Sequence, residues 1–112
     1  MNKREIGSEY ELKAEKFLND AGMKTLQKNY RTRSGEIDLI MDDQGTLVFV
    51  EVKYRRSSSF GYAAEAIGIR KQLQIRSVAR EYLAHTEGHY RSMRFDCVGF
   101  TGEEMRYIKN AF

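Results

Sequence analysis

Gly35-Glu36-Ile37-Asp38-Leu39-Ile40-Met41 and Leu47-Val48-Phe49-Val50-Glu51-Val52-Lys53 are two apolar-rich runs separated by Asp42-Asp43-Gln44-Gly45-Thr46. Ile, Leu, Val and Phe favour strands, and the residues between the runs are turn formers. The stretch therefore predicts a β-hairpin with acids inside its strands. Side chains alternate between the faces of a strand. Leu47, Phe49, Glu51 and Lys53 share one face of the second strand, and Val48, Val50 and Val52 the other. In the first strand Glu36, Asp38 and Ile40 share a face, and Ile37, Leu39 and Met41 the other. With Gln44-Gly45 as the turn, Asp43 pairs with Thr46, Asp38 faces Glu51, and Glu36 faces Lys53. A four-residue loop from Asp43 to Thr46 gives the same register, whereas an odd-length loop does not.

Opposed carboxylates on a sheet repel, and burying one unpaired is costly unless it keeps its proton or finds a cation. A hard divalent ion held by carboxylate oxygens resolves the repulsion, and Lys53 beside the pair places positive charge near a bound oxyanion. The same residues also suit a wet amphipathic hairpin with a Glu36–Lys53 cross-strand ion pair.

The set Asp38 … Glu51-Val52-Lys53, behind an acidic helix, resembles the active site of the PD-(D/E)xK nucleases. More narrowly, Gly35-Glu36-Ile37-Asp38-Leu39-Ile40 … Phe49-Val50-Glu51-Val52-Lys53-Tyr54-Arg55 resembles the signature of the YraN family of small bacterial proteins, itself similar to archaeal Holliday junction resolvases. The likeness continues through Phe60-Gly61, Lys71, Arg94-Phe95-Asp96 and Asn110-Ala111-Phe112, and so covers nearly the whole chain. It implies a restriction-endonuclease-like α-β-β-β-α-β-β sandwich with a central mixed sheet. It also implies a Mg²⁺-dependent DNA endonuclease, with Mn²⁺ as substitute, acting on branched DNA such as Holliday junctions in recombination or repair. Junction resolvases of this fold work as dimers, so a homodimer is expected. On this resemblance Asp38, Glu51 and the Val52 carbonyl ligate the metal, and Lys53 orients the attacking water or offsets developing charge. The family carries an acid four positions after the glycine that starts the first helix. Gly7 to Glu11 fits, making Glu11 the third acid, bound directly or through water, with Glu9 as the alternative.

A chain of 112 residues, 41% hydrophobic and 31% charged, is expected to form one soluble domain over 1–112. Net charge of +3 and a pI near 9.0 permit a nucleic-acid partner without requiring one. The lone Cys97 excludes an intrachain disulfide and a cysteine zinc cluster, and reads as a buried free thiol. No apolar run approaches the ~20 residues of a membrane span, and no signal-peptide core follows Met1, so a cytoplasmic location is expected.

Along the chain, residues 1–6 are polar and expected to be flexible. Tyr10, Ala14, Phe17, Leu18 and Ala21 have helical spacing, predicting a helix over Ser8–Ala21 that ends at Gly22. Met23–Tyr30 reads as an edge strand. Arg31 and Arg33 before the hairpin, and Arg55 and Arg56 after it, are candidate phosphate contacts; surface loops are the alternative. A long helix is predicted over Ala63–Ala84, with Ala64, Ile67, Lys71, Ile75, Val78, Ala79 and Tyr82 on one stripe. Lys71 on that stripe either snorkels outwards or reaches a scissile phosphate or a core carboxylate. His85 and His89 are four apart, but Gly88 lies between them, which argues against a zinc pair. Met93–Phe100 and Met105–Lys109 read as the last two strands. In the first of them Phe95, Cys97 and Gly99 oppose Arg94, Asp96, Val98 and Phe100, and the ring of Phe112 is expected to tuck onto the body.

Two other function classes fit the sequence. One is a nucleic-acid-binding module of nuclease fold with weak or no cleavage. The other is an interaction protein whose hairpin acids are satisfied by ion pairs.

Overall fold

The computed structural model describes residues 3–57, 61–63 and 67–112, with side chains from residue 7 onward. Its elements are α1 (Lys3–Asp20), β1 (Lys24–Thr32), β2 (Gly35–Asp43), β3 (Thr46–Arg55), α2 (Ile69–His85), β4 (Ser92–Thr101) and β5 (Glu104–Ile108). The strands form one sheet in sequence order. Neighbours are antiparallel except β3 and β4, which run parallel. A parallel pair needs a long crossover, and α2 supplies it. The expected α-β-β-β-α-β-β order and mixed sheet are both present, consistent with a restriction-endonuclease-like fold.

The β2–β3 turn has positive φ at Gln44 (52°) and Gly45 (92°). That is the twist-matched two-residue hairpin geometry, and Asp42 accepts the Gly45 N–H at 2.9 Å. Asp43 pairs with Thr46 and Leu39 with Val50, as the turn count requires. Val48 and Val50 then point to the α1 side with Leu39, Met41, Ala14, Leu18 and Val98. Leu47 and Phe49 point to the α2 side with Ile40, Ile75, Val78, Ala79, Tyr82 and Phe95. Covering both faces of β3 explains why Leu47 through Glu51 are all buried.

Several expected boundaries and contacts differ. Helix α1 begins at Lys3, ahead of the predicted Ser8. Lys, Arg and Glu are good helix formers, and a single internal Gly7 is tolerated. Its C-terminus is as predicted: Gly22 has φ +98°, and Gly22 and Met23 donate to Asn19 and Leu18 at 2.9 and 3.0 Å. Helix α2 begins at Ile69 because Gly68 is extended (φ −72°, ψ 166°); Phe60 and Ala64 lie outside the described residues. Ile37 does not share a face with Leu39 and Met41. It packs on the α2 side with Tyr30, its partner across the β1–β2 ladder; between this pair and Lys28–Leu39 the backbone of Asn29 is left-handed, with φ 51°. Phe112 stacks on Phe95 at 5.2 Å, as the tail was expected to do. Among the described residues no helix is long and apolar enough to cross a membrane.

Candidate active site

The backbone ladder of the hairpin ends at Leu39–Val50. Beyond it, the Asp38 carboxylate accepts the Val52 N–H at 2.8 Å. A side-chain oxygen thus stands where a ladder carbonyl would, and the strands part around it. In an extended strand the N–H and C=O of one residue point to the same neighbour, so the Val52 carbonyl is directed at the same gap. Glu51 is 8% exposed on the α2 side of β3, and its carboxyl is hydrogen-bonded to that of Asp38. Burial, first, and then the hydrogen bond and charge of Glu51 push the Asp38 carboxyl up to about 9; the Val52 N–H pulls the other way, and Glu36 adds to the rise. At neutral pH Asp38 therefore keeps its proton, as one of two crowded like charges is expected to do.

On α2, Lys71 Nζ lies 3.4 Å from Glu51 Oε2 with its side chain 42% exposed. Lys71 thus reaches a core carboxylate. Glu36 lies opposite Arg31 in the β1–β2 register and pairs with it at 3.0 Å. Lys53, two residues after Glu51, shares its face by strand alternation and is aligned with Gly99 of β4.

Glu11 approaches from α1. Asn29 Nδ2 donates to Glu11 Oε1 at 2.8 Å. Partial burial pushes the Glu11 carboxyl up, the Asn29 hydrogen bond pulls it down, and the charges of Asp38 and Glu36 raise it further. Glu11 therefore stands in the field of the hairpin acids. Glu9 faces solvent and pairs with Lys13 at 3.4 Å, which favours Glu11 over the alternative. Gly7, Ser8, Glu11, Asn29, Arg31 and Glu36 line an open cavity of about 370 Å³. Among the described residues no three His, Cys, Asp or Glu side chains are gathered as a ready cage for an ion. Asp38 and Glu51 are brought together, and Glu11 lies within reach of the Asp38 charge.

The donor set nonetheless fits Mg²⁺ or Mn²⁺. Such ions commonly take one or two protein carboxylates and fill the remaining positions with water and phosphate oxygens. Cys97, aligned with Glu51 on β4, is no nucleophile: burial, then the Glu51 charge, pushes its thiol up to about 12.

Around the site, Arg31 and Arg33 are exposed on the β1–β2 connection, Arg56 is exposed after β3, and Arg55 is half-buried at its end. Tyr54 is 39% exposed and stacks on Tyr10 at 4.4 Å. Ser58 and Ser59 lie outside the described residues.

Two features escaped the sequence reading. One is the left-handed Asn29 that holds Glu11. The other is a second buried acid cluster on the α1 side. Asp96 is fully buried. It accepts from Arg94 Nε at 3.1 Å, from the Asn110 N–H at 2.9 Å and from the Tyr107 hydroxyl at 2.5 Å. Arg94 also bridges to Asp43 at 2.8 Å. The Arg94-Phe95-Asp96 run was a signal, but its partners are set by tertiary contacts.

The sequence profile of the family described as "Uncharacterised protein family UPF0102" matches residues 10–100. The chain is 41% identical over 110 residues to a UPF0102 protein of Fusobacterium nucleatum, covering 98% of this chain and 92% of that one. It is 44% identical over 114 residues to one of Serratia proteamaculans, covering 100% and 97%, and 40% identical to one of Enterobacter sp., covering 100% and 87%.

Proposed function

The chain belongs to the UPF0102 (YraN) family, and we propose that it is a metal-dependent DNA endonuclease centred on Asp38 and Glu51. One observation carries this reading: the fold holds the Asp38 and Glu51 carboxyl groups against each other, Glu51 buried and Asp38 accepting the Val52 N–H. A scaffold has no use for such a pair, which costs stability at neutral pH. Asp38, Glu51 and the Val52 carbonyl would hold Mg²⁺, and Glu11 would hold a water on its outer side. When bound, the ion supplies Lewis acidity to the phosphate and a more acidic water.

The chain's own groups do the rest. Lys53, on the Glu51 face, orients the water or offsets charge developing on the phosphoryl oxygens. Lys71 leaves Glu51 for the phosphate once another cation takes its place; half-exposed, it is free to move. Arg31, Arg33, Arg55 and Arg56 flank the hairpin and contact phosphates. The exposed Tyr54 offers a face for an unpaired base. Such contacts suit branched DNA, and two symmetric cuts would require a homodimer.

The test is cleavage of flap, splayed-arm and four-way-junction DNA with Mg²⁺ or Mn²⁺. Wild type should cut at least one branched substrate, and Asp38→Asn, Glu51→Gln and Lys53→Ala should not. A wild type that binds these DNAs but never cuts them with either metal would mark the protein as a binding module.

A further inference from the structure

Asn29 sits in the interior of β1 with φ 51°. Among the described residues the other non-glycine positions with positive φ, Gln44 and Asn110, lie in turns. Left-handed backbone inside a strand is strained, and such strain points to use when something else holds it in place. Asn tolerates this conformation best among ordinary residues, but glycine adopts it freely. Asparagine in place of glycine implies that the side chain is used.

That side chain donates to Glu11 Oε1 at 2.8 Å. Both partners border the cavity of about 370 Å³ that also contains Glu36 and Arg31. The bond is exposed and adds little to folding. Asn29 occupies the position in β1 across from Asp38, between the Lys28–Leu39 and Tyr30–Ile37 pairs. The left-handed residue thus stands opposite one acid of the pair while its amide bonds the outer acid, Glu11. The donor's neutrality matters. A lysine or arginine here would cancel the Glu11 charge and compete with an incoming cation, whereas an amide fixes the carboxylate and leaves its charge available.

We infer that Asn29 is a positioning residue, holding the Glu11 carboxylate at the mouth of the Asp38–Glu51 site so that it completes the surroundings of a divalent ion. This rests on the proposed metal site and goes beyond it by naming what orders the third acid. Hydrogen-bonding partners of metal-site carboxylates commonly change affinity by about 10–100-fold.

The experiment is calorimetric titration of the DNA-free protein with Mn²⁺, comparing wild type, Asn29→Gly, Glu11→Gln and the double variant. Glycine keeps the left-handed backbone, so the melting temperature of N29G without metal should match wild type. Its Mn²⁺ affinity should fall about tenfold or more. In the Glu11→Gln background, Asn29→Gly should cost nothing further, because its effect runs through Glu11. Unchanged affinity in N29G, or an equal loss with and without Glu11, overturns the inference while leaving the metal site standing. A wild type that takes up no Mn²⁺ overturns both together.

Discussion

Two clusters of carboxylates are built into the sheet, and they are finished differently. On the α1 side, Asp96 is fully buried and saturated by Arg94, Tyr107 and the Asn110 backbone, with Arg94 also tied to Asp43. Burial opposes the Arg94 charge, but its bonds to Asp43, Tyr107 and Asp96 outweigh that and hold it firmly protonated. On the α2 side, Asp38 and Glu51 face one another, with the Val52 N–H on Asp38 and a half-exposed Lys71 on Glu51. The first cluster is closed and anchors the C-terminal segment to β4. The second sets two carboxyl groups against each other, with Lys71 beside Glu51 half-exposed and not locked in place. Opposed carboxyls of this kind suit a divalent ion.

The contrast can be broken most forcefully in the closed cluster. Arg94→Ala leaves Asp96 buried without its cation and should destabilise the protein by about 3–5 kcal/mol, read by urea unfolding. Asp38→Asn in the open cluster should not destabilise the metal-free protein at neutral pH, since it replaces a protonated carboxyl with a neutral amide. If Asp38→Asn cost as much as Arg94→Ala, the two clusters would be alike and the distinction would fail.

Next in size is the response to metal. Mn²⁺ at a hundred times its dissociation constant adds about 2.7 kcal/mol to a protein that binds it only when folded. For a domain of this size that raises Tm by on the order of ten degrees. Wild type should show the rise and Asp38→Asn should lose it; a similar rise in Asp38→Asn would place the ion elsewhere.

The pH dependence follows from the direction of the Asp38 shift. Between an ordinary carboxyl value near 4 and about 9, the folded protein keeps a proton that the unfolded chain has released. Folding then binds more protons than unfolding, so this group's contribution is fully present below about pH 4 and is lost as pH rises towards about 9. Metal-free wild type should lose Tm across that window more steeply than Asp38→Asn. Mn²⁺ must displace the same proton, so its affinity should rise with pH. Parallel pH profiles for the two proteins would argue that Asp38 ionises normally.

The smallest effect belongs to Lys71→Ala. Its pair with Glu51 is half-exposed and should be worth no more than about 1 kcal/mol. Mn²⁺ affinity should hold or improve, because a competing cation is gone. A marked loss of Mn²⁺ binding would make Lys71 part of the metal site's support and not its placeholder.

The closed and open clusters also differ in how legible they were. Asp38 and Glu51 lie either side of one tight turn, so counting from Gln44-Gly45 fixed their proximity. The Arg31 partner of Glu36 was out of reach because it belongs to a third strand whose register no turn count gives. Ile37 left its expected face where the strict alternation that the pattern assumes fails, opposite the stretch of β1 that holds the left-handed Asn29. The Arg94–Asp96–Tyr107 cluster was unreadable for a similar reason: Asp43 and Arg94 meet only because β3 and β4 run side by side after the α2 crossover. Core positions on α2, by contrast, followed from helical spacing alone, and Ile75, Val78, Ala79 and Tyr82 are all buried.

The most direct measurement is anomalous diffraction from a crystal soaked in Mn²⁺ without DNA. A peak between the Asp38 and Glu51 carboxylates, with metal–oxygen distances of roughly 2.1 Å and Lys71 withdrawn from Glu51, is the predicted result. A map empty at that position, with Lys71 still resting on Glu51 at saturating Mn²⁺, would contradict the account.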